Sequence, residues 1–97
     1  MSTTSAQSTA DAPRPGDTYV QSFARGLAVI RSFGDEGAPR EQTMADVAKR
    51  TGITRAAARR ALLTLVQLGY VQQDLRHRFS LTAEVRALGD CFKPQEA

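Results

Sequence analysis

Apolar positions recur at helical spacing in two main stretches of this chain and at strand-like spacing in a third. Over residues 19–33, Phe23, Leu27 and Ile30, with Val20, Ala24 and Phe33 nearby, follow the i, i+3, i+4 rule of an amphipathic helix, and Gly34 or Gly37 is placed to end it. Gly26 inside this helix costs roughly 1 kcal/mol of propensity, so a close helix crossing is expected there. Met44, Val47 and Ala48 make a shorter helical stripe, and Ala58, Ala61, Leu62, Leu65 and Leu68 make a longer one over residues 54–68. After Gly69 the period changes. Tyr70 and Val71, then Phe79 and Leu81, are β-formers around the segment Asp74, Leu75, Arg76, His77, which predicts a hairpin with a basic tip. A residue or two before Thr43 could pair as a short edge strand, although the pattern there does not decide it. Thr82 is placed to cap a last helix over residues 83–88, with Glu84 at its positive end. Val85 and Leu88 of that helix need a partner, either the first helix or the same helix of a second subunit. Residues 89–97 read as a linker or frayed end. Residues 1–18 hold almost no large apolar side chain, so a disordered arm is expected there.

The junction between the second and third helices carries the functional argument. A glycine just past an apolar-periodic run can take the left-handed conformation that stops a helix without a Cβ clash, so Gly52 is expected to end the second helix near Thr51. Ile53 then fills the gap between the helices, and the Thr54 hydroxyl caps the third. The turn is about four residues long, as a helix-turn-helix requires. Ala48 is small enough for two helices to cross closely. Thr43 with Asp46 three residues on reads as a capping box with Asp in place of Glu. The fold expected is mainly α with a small β-hairpin wing: a winged helix-turn-helix.

Projected on a helical wheel, the third helix separates its apolar stripe from Arg55, Ala56, Arg59 and Arg60, all in its first two turns. Leu63 and Val66 extend the apolar surface only further along. Reading the DNA major groove needs this asymmetry: small side chains such as Ala56 and Ala57 permit close approach, and arginine can bond guanine O6 and N7 together. The plain alternative is a solvated basic face. The glycine turn, the two caps and the absence of any acid between Val47 and Gln73 favour DNA. Thr43 and Thr54 are candidates to reach phosphate as well as to cap. Arg25, one turn from Gln21 on the first helix, and Arg76, His77 and Arg78 at the hairpin tip are candidates for phosphate contact, against a solvated surface as the competing account.

Length and charge sharpen this picture. With 97 residues there is room for one small domain with a modest core, and none for a two-domain enzyme. The net charge of +3 is mild but unevenly placed: over residues 47–80, Lys49, Arg50, Arg55, Arg59, Arg60, Arg76 and Arg78 face Asp74 alone. A local field of that sign favours a polyanion. The single cysteine, Cys91, allows no internal disulfide, and with His77 it cannot furnish the usual ligands of a zinc site. Neither residue is placed to act as nucleophile or base, and there is no Gly-rich phosphate loop, so no enzyme activity, metal or cofactor is expected. No apolar run is long enough to span a bilayer and no signal peptide is evident, so a cytoplasmic location and no membrane partner are expected. The competing reading from another class is a winged-helix protein-interaction module that docks through Leu63, Val66 and the last helix without binding DNA.

The stretches YVQSFARGLAVIRSF, TGITRAAARRALLTLVQLGYV and FSLTAEVRALG resemble the N-terminal winged helix-turn-helix domain of the IclR family of bacterial transcription regulators, and in particular its subgroup controlling aromatic-acid catabolism. The resemblance covers residues 19–89. A helix-turn-helix alone is shared by many families, whereas ITRAAARRALLTLVQLGYV together with QSFARGL is far more specific. On this reading residues 1–18 are an arm, 19–81 the DNA-binding domain, and 82–97 a linker helix and tail. The resemblance implies a dimer or tetramer on palindromic double-stranded promoter DNA, with residues 54–68 in the major groove and self-association through the first and linker helices. Members of the subgroup respond to compounds such as protocatechuate, hydroxybenzoate or β-ketoadipate through a domain that follows the linker helix. Nothing after Gly89 is large enough to be that domain, so a small-molecule effector is assigned to no residue of this chain. The segment QQDLRHRF departs from the family by being shorter and more basic than many of its wings.

Overall fold

A computed structural model describes residues 18–94. Along them run α1 (Gln21–Ser32), α2 (Met44–Thr51), α3 (Arg55–Leu68), β1 (Val71–Gln73), β2 (Phe79–Leu81) and α4 (Glu84–Asp90). This is a winged helix-turn-helix, as the apolar pattern predicts. Of the arm expected over residues 1–18, all but Thr18 lies outside the described residues.

Local chemistry sets each helix end. Thr43 and Asp46 form a complete capping box: the Thr43 hydroxyl accepts from the Asp46 N–H at 3.1 Å, and Asp46 Oδ2 accepts from the Thr43 N–H at 3.0 Å. Gly52, at φ 76°, closes α2 by donating its N–H to the Ala48 carbonyl at 2.9 Å. Thr54 caps α3 by accepting from the Ala57 N–H at 3.1 Å. At the far end, Gly69 at φ 92° lets its own N–H reach the Val66 carbonyl and that of Tyr70 reach Leu65, a Schellman closure.

α1 packs across α2 and α3. Val29, Val47, Ala48, Ala58, Leu62 and Leu65 make the helical part of the core, and Val71 and Phe79 join it from the hairpin. The strands are antiparallel, with Val71 opposite Leu81 and Gln73 opposite Phe79. The edge pairing before Thr43 exists as a single bridge, in which Gln42 and Phe79 exchange N–H···O bonds of 2.9 and 2.8 Å. The Gln42 side chain is fully buried and donates from Nε2 to the Ser32 carbonyl at the end of α1, 3.2 Å away. Its Oε1 is buried with no hydrogen-bond partner, at a cost of about 1–3 kcal/mol, in the joint between helix and hairpin.

Several expectations need correction. The stripe Val20, Phe23, Leu27 does not face the core: these side chains are 60%, 68% and 47% exposed, and α1 instead buries Val29 and Ser32. Val29 and Ser32 lie about 120–180° around the helix from Phe23, so the apolar periodicity by itself favours the other side. Ile30 and Phe33, at the border, do pack against the core. Leu68, the last residue of α3, is likewise 62% exposed. Ala57 is buried at 4% exposure and so is not a DNA-facing residue, leaving Ala56 as the small exposed one. Gly26 makes no close crossing, since a Cβ there would meet nothing within 4 Å. α4 begins one residue later than expected and runs through Gly89 to Asp90. Thr82 serves its start from one position earlier, accepting from the Glu84 N–H at 3.2 Å while its hydroxyl donates to the Gly69 carbonyl.

These burial differences give a direct stability test by urea unfolding. Leu62→Ala, at a fully buried position, is expected to cost about 2–5 kcal/mol, and Leu68→Ala less than about 1 kcal/mol. Equal losses would show that Leu68 belongs to the core after all.

Candidate nucleic-acid interface

The first turns of α3 present Arg55, Ala56, Arg59 and Arg60 as exposed residues, directly after the exposed cap Thr54. Ala57, Ala58 and Leu62, facing the other way, anchor the same turns in the core. The helix therefore offers arginines on a backbone that is held from behind. Thr43, at the start of α2, is half-buried. Both threonine hydroxyls accept from their own helices; that of Thr43 also bonds the Asp46 carboxylate, whereas the Thr54 O–H proton stays available to an outside acceptor.

The wing tip is ordered by Asp74. Its N–H donates to the Arg78 carbonyl at 2.9 Å and its carbonyl accepts from the His77 N–H at 3.0 Å. Its Oδ1 accepts from the backbone N–H groups of Arg76 at 2.8 Å and Arg78 at 2.9 Å. His77 sits in the left-handed region at φ 62°, with Nδ1 3.4 Å from Gln73 Nε2. Arg76, His77 and Arg78 are all exposed, and Leu75 at the apex is 98% exposed. In the sequence Asp74 stands out as a lone acid within the hairpin segment, not as its fastening. An Asp opening a short polar turn, where its carboxylate can bond the backbone two residues on, was the available signal.

Two carboxylates near the arginines are thus committed to backbone groups. The bond from the Thr43 N–H, followed by that from its hydroxyl, holds the Asp46 carboxyl below its ordinary range, and the fields of Arg78 and Arg50 add to this. The Arg78 and Arg76 amides do the same for Asp74. The bridge between Gln42 and Phe79 puts the base of the wing, with Arg78, beside the start of α2.

Arg60 and Arg25 lie apart from this cluster. Arg60, at the edge of the exposed face, and half-buried Arg25 border a groove of about 770 Å³ between α1, α3 and α4. Its walls are apolar, with Phe23, Leu27, Leu68 and Leu88 among them. The structure brings together Thr54, Arg55, Ala56 and Arg59 on one helix start, places Arg76 and Arg78 on the wing, and sets Arg25 toward the groove. Among the described residues, no group of three or more His, Cys, Asp or Glu could hold a metal ion, and no helix is long and apolar enough to cross a membrane.

Residues 22–75 match the IclR helix-turn-helix domain, a span that runs from α1 to the wing tip. The chain belongs to the IclR helix-turn-helix family. This IclR domain is 45% identical over 74 residues to the Pca regulon regulatory protein of Pseudomonas putida, a match covering 76% of the chain and 24% of that protein. It is 44% identical over 69 residues to the p-hydroxybenzoate hydroxylase transcriptional activator of Acinetobacter baylyi, covering 71% of the chain and 24% of that protein. The crystal structure of an IclR family transcriptional regulator from Brucella abortus superposes with a TM-score of 0.69 at 29% identity, over 80% of the chain and 30% of its own. The chain therefore spans about a quarter of the length of the curated relatives it matches. Those relatives are named as transcription regulators, and the part they share with this chain is the IclR helix-turn-helix.

Proposed function

We propose that this IclR domain binds double-stranded promoter DNA sequence-specifically, with α3 in the major groove, and regulates transcription of genes for aromatic-compound catabolism. The observation that carries the DNA reading is the exposed run of arginines on the first two turns of α3, behind the Thr54 cap and anchored by buried Ala58 and Leu62. Arg55 and Arg59 are assigned to base edges, with Ala56 giving the clearance for their approach, and Arg60 reaches the DNA from the edge of that face nearest the groove. Thr54 donates its free hydroxyl proton to phosphate, Thr43 is assigned to phosphate at the start of α2, Arg76 and Arg78 make positioning contacts to the backbone, and Arg25 reaches a backbone phosphate only from the rim of the groove. The aromatic-catabolic target follows from the names of the relatives, which are regulators of a pca regulon and of p-hydroxybenzoate hydroxylase. On this account the domain works in the cytoplasm, uses no cofactor and is not an enzyme. Sensing of a small-molecule effector is assigned to no described residue.

The apolar groove supports self-association as the second part of the proposal. Phe23, Leu27, Leu68 and Leu88 leave a large apolar face uncovered, and Gly26 in its midst has open space where a Cβ would stand. A second copy docking through α1 and α4 would cover that face and bring its backbone close at Gly26. Pairing of two recognition helices is also what a palindromic site needs, with half-sites about one helical turn apart.

Two experiments test these assignments. In a fluorescence-anisotropy titration against a pool of short duplexes at two salt concentrations, binding is expected to weaken with salt and to discriminate among sequences. Arg59→Ala should remove about 1–3 kcal/mol of that discrimination. A folded chain that binds no duplex at low salt would refute the DNA reading and leave a protein partner as the function. In sedimentation velocity, the chain is expected to dimerise with rising concentration and Phe23→Glu to remain monomeric. If both sediment alike, this face is not the dimer interface.

A further inference from the structure

We infer that Asp74, the one acid in the basic stretch of residues 47–80, is a positioning residue for DNA: it strengthens binding by holding the wing arginines in place, although its own charge repels phosphate. The inference rests on the DNA reading above.

A carboxylate at the tip of a basic wing is unfavourable on charge alone. Its position is explained by what it bonds. One oxygen, Oδ1, accepts from the backbone N–H of Arg76 and of Arg78, while the main chain of Asp74 pairs with His77 and Arg78. Four hydrogen bonds from a single residue therefore define the loop that carries both arginines. The loop needs such a fastening, because His77 occupies the left-handed region without being glycine, and Leu75 at 98% exposure buries almost nothing. With no apolar anchor at the apex, the carboxylate is what keeps the tip in one shape. The bonds from Arg78 and Arg76 also favour its ionised form, in agreement with a carboxyl held below its ordinary range.

Pre-ordering and charge have opposite signs. A tip that is already ordered does not lose that freedom when its arginines meet phosphate, whereas a loose one must be ordered at the expense of affinity. The opposing repulsion acts between solvent-exposed charges and is screened by salt. Pre-ordering is therefore the larger effect, and removing the acid should weaken binding instead of strengthening it.

The test compares Asp74→Ala and Asp74→Asn with the unaltered 97-residue chain, using the duplex that the chain selects from the pool. Alanine removes both acceptor and charge, and asparagine removes the charge but keeps an oxygen to accept the two N–H bonds. Asp74→Ala is expected to bind about fivefold or more weakly, and the slope of log K against log salt should flatten by about 1–2 as arginine contacts are lost. Asp74→Asn is expected to bind at least as tightly as the unaltered chain, with its salt slope kept. An alanine variant that binds as well as or better than the unaltered chain would overturn the inference while leaving the DNA reading intact. If the alanine variant fails to fold, Asp74→Glu decides the matter, because it keeps the charge but displaces the acceptor: it is expected to bind more weakly, and binding equal to that of the unaltered chain would overturn the inference. Failure of the unaltered chain to bind any duplex would instead end the DNA reading and this inference with it.

Discussion

The reciprocal backbone bridge between Gln42 and Phe79 is the joint on which the arrangement of α1, α2 and the wing depends. Phe79 is almost wholly buried and draws β2 onto the helical core. Gln42 is the residue before Thr43, so the same bridge fixes where the capping box begins α2. Through Nε2 it also holds the last carbonyl of α1. One buried residue thus ties together the end of the first helix, the start of the second and the inner strand of the wing. A small domain has little apolar area to spare for locking three elements separately. A shared polar joint does so with one side chain, at the cost of leaving Oε1 unpartnered.

The electrostatics follow from how the acids are used. Asp46 and Asp74 both lie close to arginines, yet both carboxylates accept backbone N–H bonds at a helix start or a turn. Each stabilises local structure through its charge while partly spending that charge on amide dipoles. Arg55, Arg59, Arg76 and Arg78 remain exposed on the same domain. The positive field is therefore kept where α3 and the wing project, and the acids act as fasteners beneath it.

Much of this was legible in the chain because it depends on short-range rules. Thr43, Gly52, Thr54 and Gly69 mark helix ends by chemistry that operates within four residues, and all four occupy the positions those rules assign. The basic face of α3 follows from the wheel in the same way. What was not legible depends on long-range packing. Phe23 and Leu27 have core-like spacing but face an open groove, while Val29, about 120–160° further around the helix, is buried. Which face of α1 meets the core is decided by the crossing of α1 over α3, and no local pattern encodes that. Ala57 was misplaced for a related reason: the α1 side of α3 begins closer to its N-terminus than the stripe of large residues suggested. Gln42 and Asp74 were missed because their roles are hydrogen bonds to particular backbone atoms, one of them ten residues away.

The central claim is that the face formed by the start of α3 and the wing is the DNA-binding surface, and that the apolar groove is not. Amide chemical-shift mapping of the chain titrated with a selected duplex holding a single half-site, which brings no second copy to the groove, tests this most directly. The account predicts shifts concentrated at Thr43, over residues 54–60 and at Arg76, His77 and Arg78, with Phe23, Leu27 and Leu88 unmoved. Shifts gathered around Phe23, Leu27 and Leu88, with the arginine face silent, would contradict it.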